Sequence, residues 1–256
     1  MRFVAIDWSG RKIRPEEKIW VAEVEEGSVV SLRNGRNRDE IRDYLGSYLE
    51  TAKEVVVGLD FAFSFPEWWC QEQGFQSMRD VWSFVAENGE QILEDPGPPF
   101  FGRAGTRAPL HAAQWRTADK EVKPRPKSPF QIGGSGHVGT GSIRGMPMLL
   151  ELSDQGFSIW PIQEPGRATL VEIYPRAFAP GVTKTRYRDR AAHLERHFPE
   201  LQGPLFDLAA CSDDAFDAAI SAISMSRNWP QLPPLEAVPY SPYLLEGKIW
   251  APDLEN

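Results

Sequence analysis

The stretch CSDDAFDAAISAI, residues 211–223, sets three aspartates into a run that otherwise has the pattern of a buried helix face. Carboxylates among alanine, phenylalanine and isoleucine are costly unless positive charge lies against them. If Ser212 caps this helix, Asp213 and Asp214 fall in the first turn, where the helix dipole favours negative charge. Asp217 is beyond capping reach. Asp214, Asp217, Ser221 and Ser224 share one face, flanked by Phe216, Ala218, Ile220, Ala222 and Ile223. Three further acids close apolar runs that read as strands: Asp7 in VAIDWS, Asp60 in VVGLDFAF and Glu172 in LVEIYP. Ligands of open α/β sheets collect outside the carboxyl ends of the strands. Carboxylates converging there would raise one another's pKa, and divalent cations that prefer oxygen, Mg²⁺ or Mn²⁺, relieve that repulsion. Two such ions, about 4 Å apart, can clamp the attacking and leaving oxygens of a phosphoryl transfer. The expected metal ligands are Asp7, Asp60, Asp214 and Asp217, with Glu172 as a further catalytic candidate. Each acid also has a plainer reading: Asp213 as a helix-start residue, Asp60 in a strand-ending turn, Glu172 paired with Arg176.

The elements that must position these acids follow from periodicity. RFVAIDWS reads as a mostly apolar strand, KIWVAEVEEG and SVVSLRNG as a hairpin, and NRDEIRDYLGSYLETAK as a helix. EVVVGLDFAF is a continuous apolar run, expected for a strand covered on both faces. Residues 66–168 read as an insertion within one domain spanning 1–256. It contains a helix at MRDVWSFVAENGEQILED, a shorter one at GMPMLLELSDQG, and between them an irregular Pro/Gly-rich basic loop, 96–145. ATLVEIYP resumes the strand pattern, TRYRDRAAHLERHF and SDDAFDAAISAISMSRN read as helices, and EGKIWAP as a short closing strand.

Composition restricts the function classes. No stretch approaches the roughly 18 apolar residues of a membrane span. MRFVAIDWSG, interrupted by Asp7, is a poor signal peptide and reads as a strand. The two cysteines, Cys70 and Cys211, stand far apart. That argues against a disulfide framework or thiolate zinc site and suits a reducing cytoplasm. The net charge of −8 disfavours wrapping long nucleic acid over the whole surface. Residues 101–145, however, carry eight Lys/Arg against Asp119 and Glu121, a local net of +6 on a body of −14. That segment could neutralise substrate phosphates, with Arg103, Arg107, Lys127 and Arg144 as candidate contacts, or it could be a solvated loop. Ser9, two residues after Asp7, is a further candidate substrate contact, offering a hydroxyl or amide to phosphate, or equally a turn residue.

The motifs AIDWSG, GLDFAFSFP, VEIYPRAF, SDDAFDAAISA and EGKIWAP, in that order across nearly the whole chain, resemble the domain of unknown function 429 family of RNase H-like nucleases. DAFDAAI is also similar to the last-helix acids of RuvC-type resolvases. The resemblance implies an RNase H-like fold: a mixed five-stranded sheet, its first three strands an antiparallel meander, with flanking helices and a large insertion between strands 4 and 5. It implies Asp7 as the central metal-bridging acid, Asp60 as the acid of the fourth strand, and a metal role for Asp214 and Asp217. It further implies a divalent-metal-dependent hydrolase, using two ions to cut a phosphodiester of short or structured DNA or RNA. Two alternatives remain open on the same residues. One is an ATP-dependent phosphotransferase of actin-like fold, with DWSG at the ATP phosphates; the other is a non-catalytic metal- or nucleic-acid-binding protein.

The remaining motifs are weaker. Gly134-x-Gly136-x-x-Gly139 does not follow a clear strand and reads as a hinge or flexible loop rather than a dinucleotide fingerprint. His193 and His197 lie at i, i+4 but lack the accompanying glutamate of a zinc helix. Trp68–Trp69 reads as core or lid packing ahead of base stacking.

Overall fold

The computed structural model describes residues 1–51, 53–134, 136–229 and 242–252; Ser135, within the GGSGHVGTG run, lies outside them. The strands are β1 (Arg2–Asp7), β2 (Trp20–Glu25), β3 (Ser28–Arg33), β4 (Val55–Leu59), β5 (Ser158–Ile159) and β6 (Ala168–Glu172). The helices are α1 (Arg38–Gly46), α2 (Glu67–Glu72), α3 (Met78–Glu94), α4 (Thr117–Glu121), α5 (Val138–Gln155), α6 (Pro175–Phe178), α7 (Tyr187–His197), α8 (Gly203–Cys211), α9 (Asp213–Asn228) and α10 (Tyr243–Glu246).

The strands form one mixed sheet in the order β3-β2-β1-β4-β6-β5. β1, β2 and β3 are an antiparallel meander, while β4 runs parallel to β1, and β6 parallel to β4. The sheet has six strands where five were expected. The sixth, β5, is two residues long and pairs with the outer edge of β6, too short to leave any periodicity in the sequence. EGKIWAP contributes one isolated bridge, Ile249 to Glu172, rather than a strand.

Strand alternation divides the core into two layers. Val4 and Ile6 of β1 face one cluster with Trp82 of α3 and Met146 and Leu149 of α5. Phe3 and Ala5 face the other, with Phe216, Ala219 and Ile220 of α9. All five residues of β4 are buried, as its unbroken apolar run requires. The 66–168 stretch therefore covers one face of the sheet with α3 and α5, beside Ile41 and Leu45 of α1. α5 is longer than the sequence suggests: it begins at Val138 and takes in VGTGSIRG, which propensity assigns to a loop. Packing overrides propensity there, because a Cβ at Gly145 would stand 2.6 Å from the Phe61 ring. α8 was not anticipated; α9 was, and Ser212 caps it by accepting from the Ala215 N–H at 3.0 Å.

On the opposite face Gly58, next to the last residue of β4, sets the height of α9 above the sheet. A Cβ there would lie 2.6 Å from the Met225 sulfur and 2.8 Å from Ile173. Gly58→Ala should cost about 1–3 kcal/mol by overpacking, read as a lowered midpoint in urea unfolding. An unchanged midpoint would mean that α9 does not rest on β4.

Candidate active site

Parallel registry brings the strand ends to one rim. Ile6 lies opposite Leu59, and Leu59 opposite Glu172. The Asp60 N–H donates to the Ile6 carbonyl at 3.1 Å, continuing the β1–β4 ladder by one residue and holding Asp60 beside Asp7. α9 crosses β1 and β2 on one face, and Asp217, two turns before Met225, brings its carboxylate to the same rim. Asp7 and Asp217 are buried, at 8% and 7% exposure; Asp60 is partly buried.

The electrostatics show that these three acids share one environment. Burial pushes the Asp7 carboxyl well above its ordinary value, and repulsion from Asp217, Asp60 and Asp214 adds to it. Asp60 is pushed up to about 7 by burial and then by Asp217. Asp217 is pushed up to about 6 by burial, with Lys184 pulling it back. The Asp217 Oδ2 accepts from the Lys184 ammonium. Its other oxygen, Oδ1, is buried without a hydrogen-bond partner, as is Ser221 Oγ one turn further along the helix.

The remaining candidate acids have partners of their own. Asp214 accepts from Lys18 at 2.7 Å. Asp213 is exposed at the helix start. Glu172 is 2% exposed and is bonded by both terminal nitrogens of Arg116, at 2.5 and 2.8 Å, and by the Phe63 N–H at 2.9 Å. Burial pushes Glu172 up, but a guanidinium on both oxygens favours the carboxylate. Its partner is thus Arg116; Arg176 instead donates to the Val182 carbonyl. Lys184, Lys18 and Arg116 carry no sequence signal. Each is a single basic residue, distant in the chain, although the buried aspartates themselves demanded a positive partner.

The loop that follows Asp7 is fastened from several sides. Trp8 Nε1 donates to the Gly141 carbonyl at 3.1 Å, and Arg38 donates to the carbonyls of Ser9 and Arg11 at 2.7 and 2.6 Å. Ser9 Oγ accepts from the Arg11 N–H at 3.3 Å, a turn contact. Arg144 spends its guanidinium on Glu90 and on the Gly10 carbonyl. Arg116 and Arg144 thus serve internal structure, which leaves Arg103, Arg107, Lys120, Lys123, Arg125 and Lys127 as the exposed charges of the basic segment. Arg107 borders a groove lined by Trp68, Trp69, Pro98, Pro99 and Pro109. Lys127 lies with its aliphatic stem near Gly136. Trp69 packs among Phe65, Phe75, Phe84, Phe100 and Phe130. His193 packs at a tilt against His197 and Phe216, and burial lowers it to about 4. Both cysteines are free, Cys70 buried and Cys211 exposed.

Among the described residues no group of three or more His, Cys, Asp or Glu side chains is placed so that it could hold a metal ion. The donor set nevertheless suits a hard cation: three carboxylates in mutual repulsion, one of them with a buried, unpartnered oxygen. No helix among the described residues is long and apolar enough to cross a membrane.

The raised carboxyls fix the sign of a pH effect. The native state holds these protons more tightly than the unfolded chain, so the stability they contribute is lost as pH rises from about 4 through 7. His193 acts in the opposite sense below pH 6.5, so the informative quantity is the difference between variants. Asp60→Asn should gain on the native sequence between pH 5 and pH 8, by on the order of 2 kcal/mol in urea unfolding without divalent ions. A pH-independent difference would contradict the shared environment.

Comparison of the chain with protein-family models, with curated proteins and with solved structures finds no match.

Proposed function

We propose that this chain is a divalent-metal-dependent phosphodiesterase of RNase H-like fold, acting on DNA or RNA. The observation that carries the reading is the convergence of Asp7, Asp60 and Asp217, from two parallel strand ends and a crossing helix, into one buried group of mutually repelling carboxylates. The antiparallel meander followed by parallel β4 and β6 supports the fold assignment, with β5 as an addition at the edge. Asp7, Asp60 and Asp217 would hold Mg²⁺ or Mn²⁺. When bound, a divalent ion supplies Lewis-acid charge neutralisation at the phosphate and a water of lowered pKa.

The chain's own residues do the rest. The fastened loop from Trp8 to Arg11 fixes the end of β1 and with it the Asp7 carboxylate. The exposed basic residues on 101–127 supply sequence-independent attraction for a polyanion, which an acidic body would otherwise repel. Glu172, bonded to Arg116, ties the insertion to the sheet rather than entering the reaction. An ATP-dependent phosphotransferase of actin-like fold needs two lobes facing one cleft, and the described residues build one sheet.

The test is cleavage of a panel of single-stranded, duplex and branched DNA and RNA with Mg²⁺ or Mn²⁺. The native chain should cut at least one substrate, and Asp7→Asn and Asp217→Asn should each reduce the rate by about a thousandfold or more while retaining the native circular dichroism spectrum. Equal rates in all three proteins would reject the reading.

A further inference from the structure

Three basic side chains reach the candidate acids, and they do different things. Lys18 is bonded to Asp214 at 2.7 Å, a pair with no net charge of its own. Arg116 is paired with Glu172. Lys184 instead joins the centre. Its ammonium is bonded to Asp217 and lies in the field of Asp60 and Asp7 as well. Its side chain is 21% exposed, so Lys184 is not sealed from solvent. The charges that remain are those of Asp7, Asp60, Asp217 and Lys184, a net of −2 with all four ionised. One divalent cation neutralises that set. Two would leave a surplus of two positive charges beside a half-buried ammonium, a like-charge cost that grows as water is excluded. Asp217 is divided in the corresponding way, one oxygen on Lys184 and the other buried without a partner.

We propose that Lys184 stands in for one of the two cations expected from the sequence. The centre then holds a single divalent ion on Asp7, Asp60 and Asp217, and the Lys184 ammonium is its second positive group toward a substrate phosphate. This rests on the metal-centre reading above. Lys184 sits in the loop between α6 and α7, where GVTKTRY gives no periodicity and no motif to mark it.

The test is the number of Mn²⁺ ions bound per full-length chain, counted by isothermal titration and by the electron paramagnetic resonance of free Mn²⁺. The native chain should bind one ion, and Asp7→Asn should weaken that binding at least tenfold. Lys184→Met should bind two, and Lys184→Arg, which keeps the charge, should bind one. Circular dichroism melting verifies that each variant is folded, and Lys184→Gln takes the place of Lys184→Met if the latter is not. Two ions on the native chain, both lost in Asp7→Asn, would overturn the inference and leave the metal centre standing. One ion on both the native chain and the neutral Lys184 variant would also overturn it. No Mn²⁺ on the native chain would remove the metal centre itself, and the inference with it.

Discussion

Asp7→Asn should make the protein more stable, not less, when no divalent ion is present. Asp7 is buried at the rim between Asp60 and Asp217, and its charge is opposed first by burial and then by three neighbouring carboxylates. An asparagine of the same shape keeps the packing and removes one charge from the group. Lys184 offsets part of the repulsion in the native chain, so the gain is smaller than that of an isolated buried acid. At pH 8 it should appear as a clear rise in Tm over the native chain. The same substitution should erase the stabilisation that millimolar Mn²⁺ gives the native chain. Differential scanning calorimetry with and without Mn²⁺ measures both effects. A lower Tm for Asp7→Asn without metal would mean that Asp7 is held by favourable partners and is a structural acid. The reasoning is that of a functional site: groups held together for binding are individually unfavourable to the fold.

The second large effect is expected at Arg116, far from the aspartates in sequence and 1% exposed. Its guanidinium is bonded to Asp119 and Glu172 and donates to the Glu246 carbonyl at 3.0 Å. Glu246 in turn accepts from the Glu67 N–H at the start of α2, and from Thr117 at the start of α4. One side chain therefore joins the basic segment, the sheet rim and the closing segment. Arg116→Met would leave two buried carboxylates without their counter-charge and should cost about 3–5 kcal/mol in urea unfolding. Adding Glu172→Gln and Asp119→Asn should recover part of that loss, because the uncompensated charges then disappear with their partner. A cost below about 1 kcal/mol for the single variant would show that the network does not close around Arg116.

The distribution of what the sequence reveals has a physical pattern. β1, β4 and β6 were legible because a strand buried on both faces must be continuously apolar, and an acid at its end then stands out. Asp217 was legible as a carboxylate on an apolar helix face. β5 was not, since two residues carry no period. The first two turns of α5 were not, because their glycines are chosen by close packing such as that of Gly145 on Phe61, against helix propensity. The positive partners were least legible of all. Lys184 lies 33 residues from Asp217, and Arg116 lies 56 from Glu172; such pairings are set by the fold and leave no local spacing. The same holds for Arg144, whose charge suggests a phosphate contact until Glu90 and the Gly10 carbonyl are seen to occupy it.

The most direct measurement is the anomalous diffraction of manganese in crystals of the native chain grown with Mn²⁺. The account predicts a peak at the rim with oxygens of Asp7, Asp60 and Asp217 about 2.2 Å from it. A map with no manganese there, and with Asp217 still bonded to Lys184 while Asp7 and Asp60 point away from it, would contradict the account.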